Sequence, residues 1–244
     1  MRKKTGIVTL LAVVVTMVLV VAANIWRSRQ TVKGVEVRID YCGADTLVMP
    51  DQITSLVLQR LPEITTMRLR DVELGKVAQA ASTSPWLTQC SAGTSIGGIV
   101  VVHALQRRPI VRVCSASGEF YLDDKGGRVP VSPSLSADVI VASGNIPDKS
   151  VGERQVWALA RFLDNHPRLS PLFDQIYRDA RGDLFLSPKL GNHVVEIGDT
   201  VDLEQKFINL MTLYTRGLPQ AGWEKYSQIS VKYRGQVVCT RRNK

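Results

Sequence analysis

The sequence lacks the cysteine spacings that metal and redox motifs require. It has four cysteines: Cys42, Cys90, Cys114 and Cys239. They stand far apart, and no two of them form a C-x-x-C pair, which excludes a zinc ribbon and a thioredoxin-type motif. Disulfides are allowed in an oxidising compartment. We expect that the fold does not depend on one, because Cys90 and Cys239 are predicted in strands of different domains.

Motifs for catalysis are also missing. The sequence has three histidines: His103, His166 and His193. They show neither H-x-x-x-H nor H-E-x-x-H spacing, and the glycines of residues 93–98 lack the Lys-Ser/Thr of a phosphate loop. The acidic pair Asp123-Asp124 stands in a turn sequence. We therefore predict no catalytic residue, metal ligand or cofactor, and a protein that is not an enzyme.

Low-complexity tracts and solenoid-scale repeats are absent as well. The composition, 45% hydrophobic and 22% charged, is that of an ordinary folded protein. The net charge of +9 is spread along the chain and forms no basic, aromatic-studded face. We expect no nucleic-acid partner and no small-molecule substrate, and we attribute the charge to solubility, anionic lipid surfaces or an acidic partner.

One long apolar run is present, from Gly6 to Ile25. About 20 apolar residues match a hydrocarbon core of ~30 Å, so we predict a short tail at 1–5, a transmembrane helix at 6–26 and a linker at 27–33. A cleaved signal peptide is the competing interpretation, since small residues stand at 21–23. Against it, the run exceeds the ~7–15 residues of a signal peptide's apolar region, and Trp26-Arg27 is typical of an interfacial anchor.

Basic residues flank both ends of this run, with Arg2, Lys3 and Lys4 before it. A first helix with a basic N-terminal flank usually inserts with its N-terminus inside. Because the tail before the span is too short to be a functional domain, we expect a type II single-pass protein. Its C-terminal domains would then face the extracytoplasmic side.

The remaining sequence predicts two domains and an α+β fold. Apolar residues alternate from Val35 to Tyr41, and apolar stripes of helical spacing follow after Pro50 and after Asp71. We expect Asp71 to cap the second helix. Two further strands, predicted from Trp86 to Cys90 and from Ile99 to Gln106, complete an order of strand, helix, helix, strand, strand over residues 34–108. From 109 to 244 short strands alternate with turns, interrupted by helical stripes at 156–163 and 203–216, which predicts a mixed β-sheet domain with flanking helices.

Several stretches resemble the FtsQ/DivIB family of bacterial cell-division proteins. Residues 106–113, QRRPIVRV, are similar to the family's q-R-x-P-i-a-x-v segment, and residues 121–126, YLDDKG, to its l-l-D-x-x-G turn. Leu203 with Lys206, Leu210 and Leu213 resembles the family's penultimate helix. Residues 222–229 resemble the approach to the terminal strand in Bacteroidetes-type members. The resemblance covers nearly the whole chain and rests on order and spacing.

The resemblance implies a POTRA-like domain of order βααββ at 34–108 and an FtsQ-type β domain at 109–244. It also implies a divisome scaffold in the inner membrane at the septum, with periplasmic domains. Such a scaffold recruits FtsL- and FtsB-like single-span proteins and so helps to regulate septal cell-wall synthesis. Two alternatives stay open: a POTRA-bearing chaperone of secretion or envelope assembly, and a membrane-anchored cell-wall enzyme.

The expected partner site is the C-terminal strand, where Tyr233 and Gly235 match the aromatic residue and the turn of the family's partner-binding strand pair. Residues 236–241 would form an exposed edge that accepts a partner strand. The predicted site residues are Tyr233, Gly235, Gln236, Val237, Val238, Cys239 and Arg241. Arg107, Arg108 and Pro109 are expected at the domain junction, where arginines could bridge modules, grip a carboxylate or blunt a strand edge.

Overall fold

The computed structural model describes residues 12–21, 30–43, 45–95 and 97–242. Residues 12–21 form a helix, α1, and the rest of the predicted membrane span lies outside the described residues. Within the described part of the chain, no helix combines the length and the apolar character that crossing a bilayer requires.

The described chain divides into two compact units. The first contains the described residues up to 42 and those between 48 and 106, and the second contains the described residues between 43 and 47 and those from 107 onward. The elements of the first unit are β1 (Gly34–Asp40), α2 (Pro50–Arg60), α3 (Leu74–Ser82), β2 (Leu87–Thr94) and β3 (Ile99–Gln106). Its sheet has the order β1-β3-β2, in which β1 is parallel and β2 antiparallel to β3.

Period-two alternation in β1 directs Val37 into the core of the first unit, where Val100 and Val102 of β3 are also buried. Ile53 and Val57 of α2 belong to the same core. Pro50 opens α2, as predicted, because its fixed φ and missing N–H suit the first helical turn. Residues 30–33 are held to this unit, since Val32 N–H donates to the Met67 carbonyl at 3.0 Å and Lys33 N–H to the Gly98 carbonyl at 2.9 Å.

Two local predictions in the first unit need correction. Asp71 does not cap α3; it ends a short 3₁₀ turn, Leu69–Asp71, and Glu73 holds the cap position without a side-chain hydrogen bond. The strand predicted from Trp86 to Cys90 extends to Thr94, because cross-strand pairing with β3 outweighs the low strand propensity of Gly93.

The second unit carries a nine-stranded mixed sheet, so the prediction of an α+β fold with a mixed sheet is confirmed. Its order is β12-β11-β10-β9-β8-β7-β4-β5-β6. The strands are β4 (Pro109–Ser115), β5 (Gly118–Asp123), β6 (Arg128–Pro130), β7 (Ile140–Gly144), β8 (Phe173–Arg178), β9 (Leu184–Pro188), β10 (Val194–Gly198), β11 (Tyr226–Ser230) and β12 (Val238–Arg241).

Helices α4 (Val151–Asp164) and α5 (Leu203–Thr212) bury their apolar stripes in the core of this unit. Val156 and Leu159 of α4 are fully buried, and Leu210 of α5 is as well. The helical pattern predicted to run to about Arg216 instead ends α5 at Thr212 and continues as a π-helical turn, Leu213–Gly217, into α6 (Leu218–Ala221). Pro219 explains this change, because it has no N–H to donate to the carbonyl four residues earlier.

Candidate partner-binding edge

Strand β12 is the end of the nine-stranded sheet. It pairs antiparallel with β11, with Ile229 opposite Cys239 and Ser230 opposite Val238. Among the strands that the structure describes, none pairs with β12 on its other side. The outer row of N–H and C=O groups on β12 therefore faces away from the sheet, which is the geometry that strand addition uses.

The direction of each backbone group on β12 follows from two hydrogen bonds. Val231 N–H donates to the Glu196 carbonyl of β10 at 2.9 Å. Because backbone groups alternate in direction along β11, the N–H and C=O of Ile229 also face β10, and those of Ser230 face β12. At the other end, Arg242 N–H donates to the Lys225 carbonyl at 3.0 Å. Because directions alternate along a strand, residues 238, 240 and 242 face β11, and Cys239 and Arg241 present their N–H and C=O groups outward.

A tight turn delivers the chain from β11 to β12. Gly235 adopts φ +73°, a conformation that glycine accepts without a Cβ clash, and Gln236 N–H donates to the Tyr233 carbonyl at 3.4 Å. Tyr233 is half exposed, and Val237 packs partly against the core. Gln236 and Val237, which were predicted within the edge strand, lie between the turn and β12, because β12 begins at Val238.

The C-terminal end of β12 is fastened to a neighbouring loop. The Arg242 guanidinium donates to the Asn192 carbonyl, and the Asn192 side-chain amide donates to Glu224 at 2.9 Å. Ser227 Oγ donates to the Thr240 carbonyl at 3.4 Å. These contacts hold β12 in register, so the open edge is a fixed surface.

A buried aromatic cluster lies next to these hydrogen bonds, and the sequence pattern did not predict it. His193 is 3% exposed, and its Nε2 lies 2.7 Å from the Tyr214 hydroxyl. The Tyr214 ring packs edge-on against Trp223, with centroids 5.2 Å apart. Burial lowers the pKa of His193. A single histidine after a glycine-asparagine turn carries no periodic signal, so its burial depends on tertiary packing.

The charges near the edge are not equivalent. Lys232 is paired with Asp183, with Nζ 2.5 Å from Oδ2, and this hydrogen bond raises the pKa of Lys232. Arg234 and Arg241 are exposed and have no ion-pair partner among the described residues. These two cations are therefore available to an acidic segment that approaches β12.

The opposite edge of the sheet is short. Strand β6 has three residues and ends at Pro130, which cannot donate a ladder hydrogen bond. Arg128 at its start is held by Glu153, with a 3.1 Å hydrogen bond from Nε to Oε1, and by Asp148. Such an edge resists strand addition, so β12 is the better candidate of the two.

The three junction residues lie at the start of the second unit. Arg107 Nη1 is 3.2 Å from Asp123 Oδ2, and Arg108 makes a two-pronged contact with Asp164 at 2.8 and 2.7 Å. Pro109 is buried at the first position of β4. Both arginines therefore grip carboxylates of their own unit, a use for which a planar guanidinium is well suited.

Asp123 is a turn residue, as predicted. Its Oδ1 accepts hydrogen bonds from Lys125 N–H at 3.0 Å and Gly127 N–H at 2.6 Å, which closes the turn between β5 and β6. No group of metal-ligating side chains occurs among the residues that the structure describes. All four cysteines are free thiols, and burial raises the pKa of Cys239.

Fold and edge together define a class: an α+β protein built on a long mixed sheet whose last described strand is open for pairing. The chain belongs to the FtsQ/DivIB, C-terminal related family, whose model matches residues 108–240. That match confirms the resemblance drawn from residues 106–113 and from the later segments. Comparison with curated proteins gave no match. Family membership indicates a role in cell division, within a family of generally non-catalytic proteins that take part in septal, membrane-associated division complexes.

Proposed function

We propose that this protein is a non-catalytic, membrane-anchored scaffold of the division machinery. It binds FtsB- and FtsL-like single-span partners by strand addition at β12 and so helps to regulate septal cell-wall synthesis. The observation that carries the proposal is the open edge of β12, with the backbone groups of Cys239 and Arg241 directed outward.

Strand addition at this edge has a defined hydrogen-bonding capacity. Each outward residue offers one N–H and one C=O, and each hydrogen bond to a partner contributes about 0.5–1.5 kcal/mol net. Side chains give the specificity. Val238 is 44% exposed and Tyr233 is 50% exposed, so apolar surface lies next to the pairing edge.

The two exposed arginines define the chemistry of the partner segment. Arg234 and Arg241 favour an acidic strand and speed its diffusional encounter with the edge. Screening by salt weakens this attraction, because exposed charges interact over a Debye length of about 8 Å at physiological ionic strength. The charge reversal Arg241→Glu should therefore mainly slow association.

The remaining parts of the proposal concern position and assembly. The apolar run at 6–26 would anchor the chain in the inner membrane with the two units in the periplasm, and the first unit would act as a POTRA-like module. Its order of strand, helix, helix, strand, strand with a β1-β3-β2 sheet supports that assignment. An anchor of this kind would hold the β12 edge within reach of other single-span division proteins.

The test is co-purification of partners with proline variants of the edge. Cys239→Pro removes one outward donor, and edge strands tolerate proline where the N–H faces solvent. Cys239→Val keeps the donor and serves as the matched control. Full-length protein is purified from membranes, and bound proteins are identified by mass spectrometry. We expect FtsB- and FtsL-like proteins with the wild type and Cys239→Val, and their loss with Cys239→Pro.

A second variant separates loss of binding from loss of fold. Arg241→Pro removes the other outward donor, and a thermal melt of each variant reports whether the second unit is intact. Folded proline variants that retain the same partners in wild-type amounts would show that β12 is not the binding edge. If Cys239→Pro does not fold, the folded Arg241→Pro variant decides the question.

A further inference from the structure

A groove separate from the β12 edge lies between α4 and the turn that joins β5 to β6. Its volume is about 510 Å³. Leu122 and Trp157 form its apolar floor, Val151 and Ala158 extend that surface along α4, and Lys125 and Arg154 stand at its rim. We call it the α4 groove. Val151 is 59% exposed although it is apolar, and the groove therefore presents an uncovered apolar surface.

The walls of the α4 groove are held rigidly. The Trp157 indole N–H donates to the Asp123 carbonyl at 3.0 Å. Gly126 lies so close to the indole that an added Cβ would stand 3.3 Å from its ring, and Gly126 has φ +79°. The Arg161 guanidinium lies 5.5 Å from the Trp157 ring centroid and donates to the Asp124 carbonyl. A partner would therefore find a preformed concave site.

The charges of the α4 groove are unbalanced. Neither Lys125 nor Arg154 has an ion-pair partner among the described residues. The carboxylate that lines the groove, Glu153, is engaged by Arg128 at 2.5 Å and by the Lys149 N–H at 2.7 Å, and the Arg128 hydrogen bond lowers the pKa of Glu153. Asp199, next to the lining residue Thr200, is bound by Lys206 at 2.6 Å. Lys125 and Arg154 are therefore free to pair with carboxylates of a ligand that covers the apolar floor.

We propose that the α4 groove binds an acidic peptide segment of another protein, in which an apolar side chain lies between carboxylates. The apolar side chain would cover Trp157, Val151 and Ala158, and the carboxylates would pair with Lys125 and Arg154. Burial of the aliphatic side chain against this floor favours binding, and the two rim cations select an acidic sequence. This site is independent of strand addition at β12.

The probe is a capped peptide of sequence Glu-Glu-Leu-Glu-Glu, with Lys-Lys-Leu-Lys-Lys and Glu-Glu-Ser-Glu-Glu as controls. Binding to the full-length protein is followed by the ¹⁵N signal of the Trp157 indole N–H, assigned with Trp157→Phe. We expect the acidic leucine peptide to shift this signal, and the serine and basic peptides to bind at least tenfold more weakly.

Variants locate the binding. Lys125→Glu with Arg154→Glu should weaken the acidic leucine peptide at least tenfold, and Arg181→Glu with Arg216→Glu, a double reversal at exposed arginines outside the groove, should not. Val151→Asp should weaken it as well. Binding that is equal for acidic and basic peptides, or unaltered by the double reversal, overturns the proposal. So does a Trp157 signal that shifts with anionic lipid vesicles and not with the peptide.

Discussion

Gly144, at the end of β7, is required both by its backbone conformation and by its packing. Its φ is +102°, and an added Cβ would lie 2.1 Å from the Arg178 carbonyl oxygen. The neighbouring strand β8 thus occupies the space that any side chain would need. In the sequence, Gly144 stands in a Ser-Gly-Asn segment that predicts a turn. The segment does not predict the contact with Arg178.

We predict that Gly144→Ala lowers the free energy of unfolding by more than about 2 kcal/mol, since backbone strain and steric overlap add. Gly118→Ala is the matched control, because Gly118 has φ +129° and no atom lies within 4 Å of the position that a Cβ would take there. Urea titrations of both variants give the comparison. Equal destabilisation would show that backbone conformation alone matters and that the contact with Arg178 does not.

His193 makes the stability depend on pH. Burial lowers its pKa, the Arg242 charge lowers it further, and Glu224 opposes them. The unfolded chain, with a histidine pKa of about 6.5, therefore binds a proton before the folded protein does as pH falls. Stability is fully present above about pH 6.5 and is lost below it, by at most about 1.4 kcal/mol per pH unit.

Melting temperatures at pH 7.5, 6.5 and 5.5 measure this effect. We expect a fall between pH 6.5 and 5.5 in the wild type and a smaller fall in His193→Gln. Salt bridges and hydrogen bonds lower the pKa values of Asp148, Glu153 and Asp199, so their stabilisation is lost at more acidic pH, below about 4.5. An identical pH dependence in the variant and the wild type would contradict the role assigned to His193.

At the scale of the element, α4 begins at a capped N-terminus. Ser150 Oγ accepts a hydrogen bond from Glu153 N–H at 3.3 Å. We predict that Ser150→Ala costs about 1 kcal/mol of stability and that Ser150→Asp, which keeps an acceptor, costs less. Thermal or urea unfolding measures both. Equal losses would mean that the cap contributes nothing and that the environment of Ser150 resists any change.

Amphipathic elements could be predicted because their patterns follow their local geometry. The stripe from Val156 to Leu163 correctly indicates α4, and alternation correctly indicates β1. The apolar pattern of residues 203–216 did not predict the π-helical turn after α5. Pro219 changes the backbone hydrogen bonds there without changing the spacing of the apolar residues. Strand order within the second sheet was also beyond reach, because it is set by packing between distant segments.

The partner site remains a prediction, drawn from a resemblance and not from composition or spacing. Resemblance to family segments pointed to residues 233–241, and the structure adds which backbone groups face outward. Because backbone groups alternate in direction along β12, the N–H and C=O of Val238 face β11, and those of Cys239 and Arg241 face away from the sheet. No composition or spacing signal could have made that distinction, because it depends on the register between β11 and β12.

At the scale of the whole molecule, the net charge of +9 can be assigned to particular residues. Many cations are paired within a unit, as Arg108 is with Asp164. Arg234 and Arg241 near β12, and Lys125 and Arg154 at the α4 groove, have no ion-pair partner among the described residues. The two proposed sites therefore both favour acidic segments, and charge alone would not distinguish their partners.

Pairing of a partner strand with the outer row of β12 is tested most directly by residue-resolved hydrogen exchange of the full-length protein. The protein is compared alone and co-expressed with the FtsB-like protein that we propose as its partner. We predict that the Cys239 and Arg241 amides exchange rapidly in the free protein and become protected in the complex, while the Thr240 amide is protected in both. A complex in which Cys239 and Arg241 exchange as rapidly as in the free protein would contradict this pairing.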